Sequence, residues 1–255
     1  MNDETRKLWA RLAEEGGAPV EHFDSGTVVD LPEPARRFLT AAIPEGAPLG
    51  TAVELEMSGR IKLGIWLPFT ARQILRGGVG SVWAATVGGR VIRFVGADSF
   101  GLSGGRMQFR FHDRIPVVNA GGPDVDRSAA GRLAGETAAW LPQALTPQAG
   151  ASWKPIDDHS ATVILPGPDG PVDVDLTIDS DGQLTEIDLE RWNGSAKPPA
   201  YQPFGATIAS SLAVDGIHIA GAGTVGWARN TPDQDDAVFF HFQINAARFL
   251  ESKAE

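Results

Sequence analysis

Apolar and polar residues alternate with a period of two in about ten separate segments of this chain. The clearest segment is Ala52–Leu63, in which Val53, Leu55 and Met57 take one face while charged and small polar residues take the other. A β-strand points successive side chains to opposite faces, and an antiparallel sheet can leave one of its faces in water. The alternation therefore predicts a large antiparallel sheet with one apolar face.

Such a sheet must cover its apolar face, either by curling or by packing under helices. One long helical pattern, Asp126–Leu145, interrupts the strands. We predict a mainly β fold with minor α: a large curved antiparallel sheet that forms a half-barrel or barrel, one central helix across it, and two short N-terminal helices. Two packed sheets are the alternative. A curled sheet encloses space, so we also predict an apolar cavity between the concave face and the central helix.

The layout predicts a single β-rich domain over residues 1–255, with four parts. These are an N-terminal helical segment (1–48), a first β block (49–125), the central helix (126–146) and a second β block (147–255). The N-terminal helices are expected over Asp3–Glu15, ended by residues 16–19, and from near Pro32. We expect Asp126 or Ser128 to cap the central helix and a helical turn over Arg248–Ala254.

The predicted strands follow the alternating runs. In the first block they are Ala52–Leu63, Phe69–Leu75, Ser81–Thr86, Arg90–Val95 and Arg106–His112. In the second block they are Ser160–Leu165, Val172–Ile178, Gln183–Arg191, Thr207–Val214, Ile217–Val225 and Ala237–Ala246. Gly101–Gly105 is expected to be a wide hairpin loop, and the pairs Asp169-Gly170 and Asp181-Gly182 are hairpin-turn signals.

Composition excludes several classes of site. The chain has no cysteine, which excludes disulfides, thiolate zinc sites, iron–sulfur clusters and cysteine nucleophiles. The formal net charge of −10 disfavours nucleic-acid binding, which needs clustered basic residues. The five histidines are scattered, and phosphate-loop, nucleophile-elbow and zinc-protease motifs are missing, so we predict no metal and no cofactor.

The sequence favours a cytoplasmic protein that does not insert into a membrane. No run approaches the roughly 18 apolar residues of a membrane-spanning helix. The acidic N-terminal residues 1–5 lack the apolar region of a secretory signal. The oligomeric state stays open.

Three charged residues are the candidate catalytic groups. Arg132 and Glu136 are four residues apart on the central helix, and Trp140 continues their face. The pair is either a solvated or interface ion pair, or a site in which a carboxylate held beside Trp140 works as a general acid or base. Asp98, expected in a loop after a strand, is the second acid/base candidate or a simple turn residue. Arg132 would orient a carboxylate or bind a substrate oxyanion.

Aromatic residues supply the candidate binding surface. Large rings that rim one cavity would bind an apolar small molecule, although core packing is the ordinary role of such residues. The predicted substrate-binding residues are Trp66, Trp83, Trp140, Phe109 and Phe111.

Several short motifs occur together along the chain: Leu31-Pro32-Glu33-Pro34, Trp66-Leu67-Pro68-Phe69, the Val95–Gly105 segment, Ser128 through Pro142, Trp153, and Tyr201-Gln202-Pro203-Phe204-Gly205. Over about Leu31–Ile244 they resemble a bacterial family of uncharacterised domains, which implies a single domain and no established activity. The predicted architecture is also similar to lipocalin-like barrels, to the half-barrels of exported bacterial lipoprotein carriers and to cofactor-free polyketide cyclases. Likeness of architecture does not establish function.

Two functions from different classes fit these features. The first is a cofactor-independent enzyme of the cyclase or isomerase type, acting in biosynthesis on an apolar, polyketide- or terpenoid-like molecule. A closed apolar cavity would fold a flexible substrate and exclude water. The second is a non-catalytic binding or carrier protein for a lipid-like ligand. We favour the enzyme by a small margin; Glu136 in the cavity wall would support the enzyme, and Glu136 on the outer surface would support the carrier.

Overall fold

The computed structural model describes residues 1–14, 21–167 and 170–250 of the protein. The α-helices of these residues are α1 (Asp3–Ala13), α2 (Glu33–Ala42) and α3 (Pro123–Trp140). The strands are β1 (Ala52–Leu63), β2 (Ile65–Arg76), β3 (Gly80–Gly88), β4 (Arg93–Gly101), β5 (Gly104–Phe111), β6 (Ile115–Gly121), β7 (Ser152–Pro155), β8 (Ser160–Leu165), β9 (Val172–Ile178), β10 (Leu184–Asn193), β11 (Ala200–Val214), β12 (Ile217–Trp227) and β13 (Val238–Leu250).

All of these strands belong to one antiparallel sheet with two arms. The strand order is β6-β5-β4-β3-β2-β1-β13-β12-β11-β10-β9-β8-β7. The first arm (β1–β6) and the second arm (β7–β13) meet where β1 pairs with β13, from Ala52 opposite Leu250 to Ile61 opposite Phe240. In the described part of the chain the edge strands β6 and β7 do not pair, so the sheet is not closed. The predicted mainly β fold with one large sheet is confirmed, and the alternative of two packed sheets is wrong.

Helix α3 connects the two edges of the sheet and crosses its concave face. It follows β6 in the chain and precedes β7. It contacts β2, β4, β5 and β6 on the first arm and β9, β10 and β12 on the second. One helix reaches both arms only if the sheet curves around it, so the molecule is a half-barrel with a central helix.

Small residues let α3 approach the sheet closely. Gly131 faces the stem of Arg191, where an added Cβ would lie 3.0 Å from the Arg191 Cγ atom. Asp126 accepts a hydrogen bond of 2.6 Å from the backbone N–H of Gly105, which holds the start of the helix to the β4–β5 turn. The predicted cap by Asp126 or Ser128 is therefore wrong: the helix begins one residue after Gly122, with Pro123 in its first turn.

The two predicted N-terminal helices are confirmed, and they lie against different parts of the sheet. Helix α1 packs Leu12 against Ile74, Val82 and Ala97, on the first arm. Helix α2 contacts β7, β8, β9 and β12 of the second arm. Residues 15–20, which contain the expected end of the first helix, lie outside the described residues. No helix of the described chain is long and apolar enough to span a membrane.

Several predicted boundaries differ from the structure. Strand β4 runs from Arg93 to Gly101, not from Arg90 to Val95, because the chain continues its pairing with β3 as far as Phe100. Gly101 pairs with Gly104, so the expected wide loop over Gly101–Gly105 is a tight turn. Strands β6 and β7 were not among the predicted strands. The helical turn expected over Arg248–Ala254 is wrong for 248–250, which belong to β13, and its remaining residues lie outside the described chain.

Of the two predicted hairpin turns, the structure describes one in full. Asp181-Gly182 forms the predicted turn between β9 and β10, with Gly182 at a φ of 81°. Asp169, in the other pair, lies outside the described residues.

Close contact between β1 and β13 predicts that Gly59 tolerates no side chain. An added Cβ at Gly59 would overlap the carbonyl oxygen of His241 and lie 2.9 Å from the ring of Phe69. We expect Gly59→Ala to lower the free energy of unfolding by about 1–3 kcal/mol, because the strands must separate to admit the methyl group. Gly89→Ala is the matched control, since an added Cβ there has no neighbour within 4 Å. Equal stability of the two variants in urea unfolding would contradict the close approach.

Candidate functional site

A cavity of about 510 Å³ lies between the concave face of the sheet and α3, where the sequence predicted one. Its size falls within the roughly 300–1,000 Å³ of small-molecule sites. The walls are mainly apolar and come from both arms, and their aromatic part includes Phe94, Phe109, Phe204, Phe239, Phe240 and Phe242. An apolar cavity with a few polar groups is the usual form of a small-molecule site, so this cavity is the candidate site of the protein.

The cavity opens to solvent through apolar residues. Leu63, at the end of β1, lines the cavity with 52% of its surface exposed. Val117, on the edge strand β6, lines it with 47% of its surface exposed. Because both side chains contact the cavity and solvent, this end of the half-barrel is its mouth.

One row of cross-strand neighbours introduces polar groups on the concave face. Gln73 lies opposite Trp83, and Trp83 lies opposite Asp98 on the next strand. All three side chains point to the concave face. Each is an even number of residues from a residue of the main core on its own strand: Leu75 on β2, Val87 on β3 and Phe100 on β4. The sheet therefore presents an amide and a carboxylate, on either side of an indole ring, to the underside of α3.

Arg132 of α3 is bound by two carboxylates, Asp98 of this row and Glu136 of its own helix. Its Nη1 donates to Asp98 Oδ2 at 2.7 Å, and its Nε donates to Glu136 Oε1 at 2.6 Å. Gln73 Nε2 donates to the other oxygen, Glu136 Oε2, also at 2.6 Å. The guanidinium carbon lies 5.5 Å from the centre of the Trp83 ring. Burial disfavours the charge of Arg132, but Glu136 and Asp98 outweigh that effect and raise its pKa.

The structure brings the three predicted catalytic residues together. Asp98, Arg132 and Glu136 all line the cavity. The Arg132–Glu136 pair lies in the cavity wall rather than on the outer surface, with side chains only 21% and 13% exposed. The expected loop position of Asp98 is wrong: it lies inside β4, where its inward side chain meets Arg132. Both carboxylate oxygens of Glu136 accept hydrogen bonds within the protein, and one of them fixes the position of Arg132. Catalytic roles for the three residues stay predictions.

The predicted binding aromatics divide into two groups. Trp83, Trp140 and Phe109 line the cavity. Trp66 points to the opposite face of the sheet, where its ring lies 4.7 Å from that of His241. Phe111 follows Phe109 on the same strand but is not part of the lining; its ring packs against Phe94 at 5.7 Å. Trp140 is anchored by its Nε1, which donates to the carbonyl oxygen of Ala220 at 3.1 Å.

Arg191 is a charged cavity residue that the sequence analysis did not single out. Its Nε donates to the backbone oxygen of Ser128 on α3 at 2.9 Å. Its guanidinium carbon lies 4.5 Å from the ring centre of Phe204 and 5.5 Å from that of Trp227. Burial, followed by the charge of Arg132, lowers the pKa of Arg191 to about 10, so it is protonated at neutral pH. The alternation of side chains along β10 could have identified Arg191 as an inward residue, because Ile187, Leu189 and Arg191 share one face of this strand.

The paired contacts of Arg132 predict a coupled loss of stability. Asp98→Asn or Glu136→Gln alone leaves Arg132 one carboxylate and should cost about 1–3 kcal/mol of unfolding free energy. The double variant leaves a buried guanidinium with neither, so its loss should exceed the sum of the single losses. Asp173→Asn is the control, since its pair with Lys154 is more than half exposed and should contribute at most about 1 kcal/mol. Strictly additive losses in denaturant titrations would show that the carboxylates act independently.

Comparison with known proteins identifies a family but no activity. The search of curated proteins finds no match. Two of the similar solved structures are a DUF1329 family protein from Desulfovibrio piger and a LolA superfamily protein from Nitrosomonas europaea. The first is 10% identical with a TM-score of 0.41 over 78% of this chain and 86% of that chain. The second is 9% identical with a TM-score of 0.44 over 85% of this chain and 91% of that chain. Likenesses of this size carry no argument about function.

The family match covers most of the chain. A model described as a family of unknown function, DUF6544, matches residues 21–242. The span agrees with the resemblance to an uncharacterised family that the short motifs indicated, and that resemblance is confirmed. The protein belongs to the DUF6544 family.

Proposed function

We propose that the protein binds a lipid-like small molecule in the cavity of the half-barrel and acts as a non-catalytic binding or carrier protein. The observation that carries the proposal is the cavity itself. It has a volume of about 510 Å³, mainly apolar walls and a mouth bordered by Leu63 and Val117. An apolar molecule that enters it loses contact with water wherever the walls cover it, and the free energy of transfer grows with the apolar area removed from water.

The aromatic lining supports an elongated or ring-containing ligand. Phe69, Trp83 and Phe240 pack against one another, with ring centres 4.7–6.1 Å apart. Trp83, Phe240 and Phe109 face the cavity from different strands. Rigid rings provide contact area with little loss of side-chain freedom on binding. The site therefore suits a molecule recognised by shape and apolar surface.

A cyclase or isomerase that acts on a polyketide- or terpenoid-like molecule is the second candidate. The placement of Glu136 in the cavity wall, with Asp98 nearby, is the observation that favours it. The hydrogen bonds favour the carrier instead. Glu136 accepts from Arg132 and Gln73, and Asp98 accepts from Arg132, so these carboxylates are engaged within the protein. A general base needs an oxygen within reach of the substrate proton.

Blocking the cavity should abolish binding without unfolding the protein. Ala206 lines the cavity on β11, whereas Ala209 on the same strand is exposed and does not line it. We expect Ala206→Phe to weaken the binding of Nile red, a neutral environment-sensitive dye, by at least about tenfold. Ala209→Phe adds the same ring outside the cavity and should leave the affinity within about twofold. Equal fluorescence titrations for both variants would place the dye elsewhere and overturn the proposed site.

The fate of the natural ligand separates the carrier from the enzyme. Native mass spectrometry of protein isolated from its source organism would identify a co-purified molecule. After incubation with fresh protein, a carried ligand should be recovered with its mass and chromatographic retention unchanged. Conversion to an isomer by the wild-type protein, and its loss in a folded Glu136→Gln variant, would establish the enzyme and reject the carrier.

A further inference from the structure

The guanidinium of Arg191 has unused hydrogen-bonding capacity in an apolar cavity. Its Nε donates to Ser128, but neither Nη1 nor Nη2 has a hydrogen-bond or ion-pair partner within residues 1–14, 21–167 and 170–250. The side chain lines the cavity and has the rings of Phe204 and Trp227 for neighbours. Four N–H groups of a cation therefore lack a partner in the described protein.

Arg132, the other cavity arginine, is different in this respect. It hydrogen-bonds to Asp98 at 2.7 Å and to Glu136 at 2.6 Å, so two carboxylates surround one guanidinium. Neither carboxylate is within ion-pair distance of Arg191. Of the charges that act on Arg191, that of Arg132 has a stronger effect than either carboxylate, and it lowers the pKa of Arg191 further after burial has lowered it. An anion at Arg191 would relieve this repulsion.

Packing explains only part of the Arg191 side chain. Its stem covers Gly131 of α3, and its face stacks on Phe204 at 4.5 Å, contacts that also stabilise a cation. An apolar side chain of similar length would cover the same surface without the desolvation of a charge. The edge of the guanidinium, where the terminal nitrogens lie, has the fork geometry that matches a carboxylate.

We infer that Arg191 anchors the carboxylate of the bound molecule, so that the ligand class is an apolar monocarboxylate such as a fatty acid. The inference rests on the proposed binding function and adds the chemistry of the ligand to it. The two terminal nitrogens donate to the two carboxylate oxygens, and the apolar remainder of the molecule lies against the aromatic side chains of the cavity. The rings of Phe204 and Trp227 beside the guanidinium lower the local dielectric constant, which strengthens this ion pair.

A matched pair of ligands tests the inference. Dodecanoate and 1-dodecanol have the same chain length and differ in the charged head group. Each would displace Nile red from the wild-type protein at pH 8. A charge-assisted bidentate contact predicts that dodecanoate binds at least about tenfold more tightly than dodecanol. Arg191→Met keeps most of the stem and removes the charge. It should weaken dodecanoate about 10- to 100-fold and leave dodecanol within about twofold.

Arg60→Met is the matched control variant. Arg60 also stacks on an indole ring, that of Trp66 at 5.8 Å, but it does not line the cavity. Its loss should leave the affinities of both ligands unchanged. A circular dichroism spectrum equal to that of the wild type would confirm that Arg191→Met folds; if it does not fold, the ligand preference of the wild-type protein decides alone.

The outcomes distinguish ligand binding by the cavity from carboxylate binding by Arg191. If neither the dye nor either ligand binds, the proposed binding function fails. If dodecanol binds and dodecanoate binds no more tightly, the cavity is a ligand site but Arg191 is not a carboxylate anchor. A loss of dodecanoate affinity equal in Arg60→Met and Arg191→Met would reduce the preference to a general surface charge effect and would also overturn the inference.

Discussion

Burial of the concave face under α3 is the constraint on which the rest of the structure depends. A single sheet of this size has one continuous apolar face, and its edge strands β6 and β7 do not meet in the described chain. The chain solves this by running from one edge to the other through α3 itself. The helix is thus both the connection and the cover. Because it must touch both arms, the sheet curves, and the curvature creates the space that becomes the cavity.

Two arginines connect α3 to the sheet, one from the helix to the first arm and the other from the second arm to the helix. Arg132 reaches from α3 to Asp98 on β4, while Arg191 reaches from β10 back to the Ser128 carbonyl on α3. Each contact fixes the helix to one arm, and hydrogen bonds give it a direction that apolar packing alone lacks. Burial of charge is costly unless the charge is paired. The first arginine has that pairing within the protein; the second has mainly aromatic faces, and this asymmetry gives the cavity its chemical polarity.

The sequence predicted the sheet because period-two alternation is a local property, legible in a segment such as Ala52–Leu63. It did not predict which strands pair at the centre, since the β1–β13 register joins residues nearly 200 positions apart, such as Ala52 and Leu250. The sequence predicts a loop at Asp98 because this residue follows the predicted strand Arg90–Val95 and precedes the glycine-rich segment Gly101–Gly105. Its inward position is stable only because Arg132, distant in sequence, lies opposite. The alternation along β2 and β10 indicates that Gln73 and Arg191 are inward polar residues. Their hydrogen-bond partners depend on where α3 crosses the sheet, which the alternation does not predict.

The cavity exists because of the side chains that α3 lacks. Gly135 and Ala139 face it, four residues apart on one side of the helix, and neither fills the space beneath. Leucine at Gly135 would pack against Leu189, which lies 3.5 Å from an added Cβ, and would gain buried area, since a void forfeits contacts that a filled core would make. The helix instead combines small residues with one charged cluster and with Trp140 at its end. A sheet that needs only to be covered has no use for this pattern. The proposed binding function gives the pattern a use, because a ligand would fill the missing volume and accept hydrogen bonds from the N–H groups of Arg191 that lack a partner in the described residues.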